Sequence, residues 1–275
     1  MHDIRIIALD LDGTLLNSNK ELTQRSYDTL AAAAAKGIQI VPTTGRFYDG
    51  MPQVIRELPF VNYAITINGA QVRNVHTGEV LYRAEIPWQQ AVEIMTFLDT
   101  LPVVYDCFMD DAAWMTAALQ EKIDLYTDNP HYRKMVRELR APVPELKAFI
   151  TERGHDVQKS QFFTMDAALR RKMLQELPQI FPHIIASSAL EHNVEINQCN
   201  ANKGRALLAL AEHLGCGVEN VMSFGDGLND LTMIEVAGLG VAMGNAVDEV
   251  KACANYITDD CDHDGVAAAI EKFCL

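Results

Sequence analysis

The sequence predicts an α/β protein in which a doubly wound parallel sheet is interrupted by an inserted α+β domain. Strand-like and helix-like segments alternate in both terminal parts of the 275-residue chain. Polar or acidic residues follow several of the apolar strand-like runs immediately. The middle of the chain, residues 84–189, has a different mixture of helical and strand-like pieces. These three observations separate a core domain, residues 1–83 plus 190–275, from an inserted one.

The beginning of the chain predicts a βαβ unit. Residues 4–9 are apolar and β-branched, residues 22–36 have a helical pattern that Gly37 stops, and residues 38–42 form the next strand. We expect the crossover to be right-handed, as nearly all such connections are.

A small antiparallel meander is predicted next. Its strands are residues 63–67, 71–75 and 80–83, and its turns are Asn68-Gly69 and Thr77-Gly78. Asn-Gly between two β-like runs is a strong local signal for a hairpin.

The remaining elements divide at about residue 190. The inserted segment has helical stretches at 89–101, 132–139, 144–153 and 167–177, and strand-like pieces at 103–108, 158–165 and 183–187. Strand and helix alternation then resumes, with strands predicted at 194–197, 221–224, 239–242 and 256–258.

Two carboxylates follow the first strand, in the run Asp10-Leu11-Asp12-Gly13-Thr14. In an extended segment, positions i and i+2 point to the same side, so Asp10 and Asp12 can face one reacting centre. Paired acids aimed at one point favour phosphoryl chemistry with a metal ion. The alternative is a polar strand end whose aspartates bond to turn amides.

Three further motifs favour the chemical interpretation. Thr44 follows the strand at 38–41, Lys203 precedes a helical pattern, and Asp226 and Asp230 follow the strand at 221–224. In a doubly wound sheet, the carboxyl ends of the strands form the ligand crevice, so these groups should converge. Together they would supply a nucleophile, a proton donor, metal ligands and fixed positive charge for phosphoryl transfer.

With these motifs in this order, the chain resembles the haloacid dehalogenase-like (HAD) superfamily, and within it the Cof-type phosphatases with a large type C2 cap. The resemblance spans nearly the whole chain. It implies a Rossmann-like HAD core, with residues 84–189 as a cap that determines substrate specificity. It also implies hydrolysis of phosphate monoesters through an aspartyl-phosphate.

The resemblance also implies a role for each motif residue. Asp10 would be the nucleophile, and Asp12 the general acid and base, a role that calls for a raised pKa. Lys203 and Thr44 would hold the phosphoryl oxygens. Mg²⁺ is the expected cofactor, because it prefers oxygen ligands and retains waters. Its expected ligands are Asp10, the backbone carbonyl of Asp12, Asp226 and Asp230, the last supporting the site directly or from nearby.

The candidates for substrate binding are more ambiguous. They are Gly45, Arg46, Asn68, Gly69 and Asn229. Turn chemistry alone explains Asn68-Gly69, although the family often places this pair near the substrate phosphate. Arg46 would reach the substrate or pair with an acid.

Composition excludes several partner classes. The chain has 23 Lys+Arg against 37 Asp+Glu, a formal net charge of -14, which argues against nucleic acid or an anionic membrane as a partner. Its six cysteines form no Cys-x-x-Cys pair, and we expect free thiols in a cytoplasmic protein. No apolar run approaches the ~20 residues that span a bilayer. The oligomeric state is not predicted.

The function predicted is therefore a Mg²⁺-dependent phosphatase acting on a small phosphorylated metabolite, such as a sugar phosphate or a phosphorylated cofactor. One alternative is a phosphomutase that uses the same aspartyl-phosphate and requires a bisphosphorylated activator. A second is a non-catalytic metabolite-binding regulatory protein, against which the intact Asp10, Asp12, Lys203 and Asp226 argue.

Overall fold

The computed structural model describes residues 3–188 and 192–275. It divides into two compact units, Met1–Arg83 with Asn200–Leu275, and Ala84–Cys199. The domain boundary predicted at residues 189 and 190 lies outside the described residues. Over the described residues, no helix combines the length and the apolarity needed to cross a bilayer.

The elements alternate along the chain in the order that the α/β prediction requires, and the predicted fold class is confirmed. In chain order the strands are β1 (Ile6–Leu9), β2 (Gln39–Pro42), β3 (Tyr63–Thr66), β4 (Gln71–Asn74), β5 (Val80–Arg83), β6 (Val104–Met109), β7 (Ala112–Thr116), β8 (Ala141–Val143), β9 (Lys159–Phe163), β10 (Ile184–Ser187), β11 (Asn193–Gln198), β12 (Val221–Gly225), β13 (Leu239–Ala242) and β14 (Tyr256–Ile257). The α-helices are α1 (Gln24–Ala35), α2 (Gln53–Arg56), α3 (Trp88–Leu98), α4 (Ala117–Gln120), α5 (Pro130–Leu139), α6 (Leu146–Arg153), α7 (Ala167–Ile180), α8 (Lys203–His213), α9 (Leu231–Val236), α10 (Asp248–Cys253) and α11 (Gly265–Phe273).

The main sheet of the first unit is parallel throughout, in the order β14-β13-β12-β1-β2. Every residue of β1 is buried, which explains why this strand is apolar without alternation. β1 lies between β2 and β12, so the residues after these three strands meet at one edge of the sheet.

Helix α1, Gln24–Ala35, lies within the helix predicted over residues 22–36 and is shorter at both ends. The Thr23 side chain accepts a hydrogen bond from the Ser26 backbone N–H and caps the first turn. Gly37 follows the helix with φ +87°, a left-handed conformation that glycine adopts without strain. The predicted βαβ unit is therefore present between β1 and β2.

The predicted meander is also present. β3, β4 and β5 form an antiparallel sheet, with a register irregularity between Val72 and Arg73. Isolated bridges join it to the strand region of β2, including one between Thr43 and Ile65. The turn before β4 therefore lies at the same edge as the end of β2.

The second unit contains a six-stranded mixed sheet in the order β10-β11-β9-β6-β7-β8. Only β7 and β8 pair in parallel; the other neighbours are antiparallel. Val194 and Ile196 of β11 belong to the apolar core of this unit. The assignment of residues 194–197 to the core domain was therefore wrong, because β11 pairs with β9 and β10.

The sheet of the second unit also buries two ion pairs. Arg140 Nε lies 2.9 Å from Asp106 Oδ2, and Lys159 Nζ lies 2.8 Å from Glu195 Oε1. Asp106 is fully buried, and Gln161 Nε2 donates a second hydrogen bond to the same oxygen. Buried charges of this kind persist in a fold only where they are paired.

Candidate active site

Asp10 stands directly after β1 and is held by the neighbouring strand. Its backbone N–H donates to the Phe224 carbonyl of β12, 3.1 Å away, continuing the parallel ladder for one more residue. Gly13 follows with φ +89°, and a Cβ there would lie 2.7 Å from Asp226 Oδ2. Only a glycine allows the chain to turn this closely beside the Asp226 carboxylate.

Lys203 is the first residue of α8 and its side chain is completely buried. Its Nζ lies 2.6 Å from Asp10 Oδ1 and 2.5 Å from Asp230 Oδ1. Burial acts to lower the pKa of this ammonium, but Asp10 and Asp230 outweigh it and raise the pKa above its usual value. Lys203 is therefore a fixed positive charge between two carboxylates.

The pKa of Asp10 is raised to about 7. Burial is the largest cause, and Lys203 opposes it, while the charges of Asp230 and Asp226 raise the pKa further. An additional cation near Asp10 would stabilise its charged form, since three acidic side chains share one lysine.

Asp226 and Asp230 are held differently. Thr14 Oγ donates to Asp226 Oδ1, 2.8 Å away. Asp230 Oδ2 accepts the backbone N–H groups of Asp226 and Gly227, both at 2.9 Å, and its Oδ1 accepts from Lys203. Both oxygens of Asp230 are thus engaged by donors.

The donor set fits a hard divalent cation. Oxygens of Asp10, Asp226 and Asp230 lie within 4.8 Å of one another. Among the described residues, Asp10 Oδ2 and Asp226 Oδ2 accept no hydrogen bond from a protein donor. These two oxygens are therefore the most readily available metal ligands, and Asp230 is placed to orient its neighbours.

Asp12 does not have the raised pKa that was expected for it. Arg46 donates to both of its oxygens, with Nε 2.9 Å from Oδ2 and Nη2 3.0 Å from Oδ1. Lys20 Nζ lies 3.1 Å from Oδ1. Burial acts to raise the pKa of Asp12, but Arg46 and Lys20 outweigh it and lower the pKa.

The ambiguous candidates gather around one turn. Asn68 has φ +56°, its N–H donates to the Thr44 carbonyl, and its Oδ1 accepts from Asn229 Nδ2 at 3.3 Å. A Cβ on Gly45 would lie 2.8 Å from this same oxygen. The structure brings Thr44, Gly45, Asn68 and Asn229 together at the edge that carries Asp10.

The packing of the turn against α8 requires a glycine at position 69. The φ of Gly69 is +92°, and a Cβ there would lie 2.3 Å from the Asn202 carbonyl. Asn202 caps α8, since its side chain accepts from the Arg205 N–H. The turn therefore packs directly against the backbone that places Lys203.

The family model of the haloacid dehalogenase-like hydrolases matches residues 7–270. The chain belongs to this family.

Two named phosphatases match this haloacid dehalogenase-like hydrolase along nearly the whole chain. The 5-amino-6-(5-phospho-D-ribitylamino)uracil phosphatase YcsE of Bacillus subtilis (strain 168) is 33% identical, covering 99% of this chain and 97% of that protein. The pyridoxal phosphate phosphatase YbhA of Escherichia coli (strain K12) is 31% identical, covering 97% of each.

Solved structures agree with the fold. A haloacid dehalogenase-like hydrolase from Bacteroides thetaiotaomicron has a TM-score of 0.83 at 29% identity and covers 98% of this chain and 99% of its own. Another from B. subtilis has a TM-score of 0.83 at 28% identity, covering 99% and 100%. The Cof-type recognition is thus confirmed, and the protein is a phosphoric monoester hydrolase of this family.

Sequence reasoning missed three contributors to the site of this haloacid dehalogenase-like hydrolase. The motif pattern predicts no role for Thr14, although its hydroxyl holds Asp226 in place. Asn202 caps α8 and so positions Lys203, a signal available from an Asn before a helical pattern. Lys20 gave no local signal, because its contact with Asp12 depends on the path of the following turn.

Proposed function

We propose that this phosphatase hydrolyses phosphate monoesters of small phosphorylated metabolites through an aspartyl-phosphate on Asp10. One observation supports this most strongly: Lys203 joins Asp10 and Asp230 in a buried cluster, beside the open oxygens of Asp10 and Asp226. The named relatives act on a phosphoribityl compound and on pyridoxal phosphate, which supports a substrate that carries one phosphate on a small polar or aromatic body.

In the first step, a carboxylate oxygen of Asp10 forms a bond to phosphorus while the bond from phosphorus to the leaving oxygen breaks. Asp12 gives its proton to that oxygen, so the product leaves as an alcohol. The dianionic phosphate of a bound substrate places negative charge beside Asp12 and competes for its cations. Both effects raise the pKa of Asp12 above the lowered value that Arg46 imposes.

In the second step, water attacks the phosphorus of the aspartyl-phosphate and the acyl–phosphate bond breaks. Asp12, now a carboxylate, takes a proton from that water, and inorganic phosphate and free Asp10 are regenerated. Arg46 and Lys20 favour the charged form of Asp12 on which this step depends.

Fixed groups would hold the phosphoryl oxygens during both steps. Lys203 carries its charge at a defined point, because two carboxylates fix its ammonium. Thr44, which is buried next to the end of β2, would donate through its hydroxyl. We propose Gly45, Asn68, Gly69 and Asn229 as the turn that borders the phosphate.

Mg²⁺ is the proposed cofactor, and Asp10, Asp226 and the Asp12 backbone carbonyl would hold it. When bound, it would neutralise negative charge between Asp10 and the phosphate. Asp230 would orient this set through Lys203 and through the amides of Asp226 and Gly227.

We further propose that the inserted unit, predicted as 84–189 and compact over Ala84–Cys199, determines which leaving group is accepted. The groups assigned to the chemistry all belong to the other unit, so the inserted residues are available for discrimination among substrates.

A screen of phosphorylated metabolites with purified protein tests the function. We expect Mg²⁺-dependent release of inorganic phosphate, loss of turnover in Asp10→Asn, and no need for a bisphosphorylated activator. Near-normal turnover in a folded Asp10→Asn variant would refute the proposal. An absolute requirement for a bisphosphate, with sugar phosphate as the product, would instead indicate a mutase.

A further inference from the structure

Two cations from separate segments meet on the Asp12 carboxylate. Arg46 comes from the loop after β2 and engages both oxygens. Lys20 comes from the turn that follows the Asp12 motif and reaches Oδ1 at 3.1 Å. Arg46 alone already satisfies the geometry of an ionised carboxylate, so the second cation needs its own explanation.

The turn that carries Lys20 is built by Asn17. The Asn17 side chain accepts the N–H groups of Asn19 and Glu21, and the Asn17 carbonyl accepts the Lys20 N–H. Ser18 donates its N–H to Asp262, 2.8 Å away, which ties the turn to the body of the first unit. The Lys20 backbone is thus held by its neighbours.

The backbone of Lys20 is left-handed, with φ +65°. Glycine or asparagine suits such a position, whereas a lysine is strained there. Backbone strain that a fold maintains at one residue is a reason to ask what its side chain does.

The stability of the fold does not explain why a lysine stands at position 20. Its side chain is 57% exposed, and an ion pair with that exposure contributes little to folding. Glycine at this position would remove the strain and lose only that weak contribution. The feature that the lysine adds is a positive charge on the carboxyl assigned to proton transfer.

We propose that Lys20 is a positioning residue which, together with Arg46, orients the Asp12 carboxyl toward the leaving oxygen. This inference rests on the proposed function. As the bond from phosphorus to the leaving oxygen breaks, the O–H bond of Asp12 breaks and the proton moves to that oxygen. Lys20 then stabilises the carboxylate that Asp12 has become.

The dependence of rate on the leaving group tests this role. Nitrophenolate leaves without needing a proton, whereas unsubstituted phenolate leaves far better with one. We would therefore measure kcat/KM, which reports the first step, for 4-nitrophenyl phosphate and for phenyl phosphate. Lys20→Met should lower kcat/KM for phenyl phosphate about fivefold and for the nitro ester less than about twofold, as expected for one partly exposed charge pair.

Two more variants separate positioning from structure. Lys20→Arg keeps the charge and should restore the wild-type ratio of the two substrates. Lys20→Gly removes the charge and the backbone strain together, so it should show the same selective loss while its Tm stays equal to or above that of the wild type. Lys172→Met is the matched control, because Lys172 is 61% exposed and pairs with Glu176 elsewhere.

Equal losses for both substrates, faster turnover of phenyl phosphate in Lys20→Met, or wild-type behaviour of Lys20→Met would each overturn the inference. A fall in Tm for Lys20→Gly that accompanies its loss of activity would also overturn it, since the lysine would then be structural. The wild type and Asp10→Asn are assayed alongside. An inactive wild type overturns the proposed function and this inference with it, whereas an active wild type isolates the test of Lys20.

Discussion

A buried lysine between two aspartates determines the electrostatics of the site at the scale of single residues. Lys203 contacts Asp10 and Asp230 with no exposed surface, so the charge of each group depends on the others. Removing one partner of a buried ion pair leaves an uncompensated charge, which destabilises a fold more than the intact pair stabilises it.

Lys203→Met should therefore abolish turnover and also reduce the free energy of unfolding, by about 3–5 kcal/mol. Adding Asp230→Asn removes one of the two carboxylates that have lost their cation, while the asparagine keeps an oxygen that accepts from the Asp226 and Gly227 amides. The double variant should regain part of the stability and none of the activity. Urea unfolding and phosphate release measure the two effects; equal stability of the single and double variants would contradict this description.

The sequence was sufficient to predict that Asp10, Asp226, Asp230 and Lys203 lie close together, because each stands at the end of an element whose type can be predicted. It was not sufficient to find the cations on Asp12. Whether Arg46 turns to substrate or to an acid depends on side-chain directions in two loops, which no periodicity describes. The expectation of a raised pKa for Asp12 failed for the same reason.

At the scale of elements, the pattern of apolar and polar residues in a strand indicates the kind of sheet to which it belongs. β1 reads Ile-Ile-Ala-Leu and is buried on both faces, as strands of a covered parallel sheet are. β11 reads Asn-Val-Glu-Ile-Asn-Gln, and this alternation is typical of an antiparallel strand with one apolar face. The residue pattern of β11 therefore indicated an antiparallel sheet, although its position along the chain suggested the core domain.

The contact between the Asn68-Gly69 turn and α8 gives a prediction about an element. Gly69→Ala would place a Cβ 2.3 Å from the Asn202 carbonyl, at a φ of +92°, and must displace the start of the helix that carries Lys203. We expect a loss of about 3 kcal/mol in the free energy of unfolding, with lower kcat.

Gly78→Ala is the control for this variant, since Gly78 has φ +73° but its nearest potential contact is Arg73 Nη2 at 3.7 Å. It should show only the backbone strain, about 1 kcal/mol, and unchanged kcat. If both variants behave alike in denaturation and in assay, the contact with α8 has no consequence for the site.

The buried pair of Arg140 and Asp106 gives a second prediction at this scale. Arg140→Met should destabilise the protein by about 3–5 kcal/mol, because it leaves the buried Asp106 carboxylate of β6 without its cation. Lys134→Met breaks an exposed pair with Glu138 on the helix before Arg140 and should change stability by less than about 0.5 kcal/mol. Chemical denaturation compares the two, and recovery of stability in Arg140→Met/Asp106→Leu would identify the stranded charge as the cause.

At the scale of the whole molecule, the chain builds one α/β unit from its two ends and a second unit from its middle. Alternation of elements predicted this division, and the motifs at strand ends all fall in the first unit. The limit near residue 190 could not be read from the alternation of elements, because a strand at 194–197 continues that alternation whichever sheet it joins. The pairing of β11 with β9 and β10 places this strand in the second unit.

Excision of the second unit follows as a prediction. Removing 84–199 joins Arg83 to the segment at Asn200, whose carbonyl accepts from Tyr82 in β5 at 3.1 Å, so a short linker suffices. This variant should be soluble. A variant that lacks only 84–189 would expose Val194 and Ile196, whose core has been removed, and should aggregate. In the soluble variant, kcat/KM should fall far more for a metabolite than for 4-nitrophenyl phosphate. An unchanged ratio of the two would show that the second unit does not select substrates.

The covalent role of Asp10 is the central claim, and trapping the intermediate tests it most directly. Borohydride reduces an aspartyl-phosphate to homoserine, which peptide mass spectrometry can locate along the chain. In protein quenched during turnover, we predict homoserine at position 10 and none in protein without substrate or in Asp10→Asn. Homoserine at another aspartate, or sustained turnover with none formed, would contradict the mechanism.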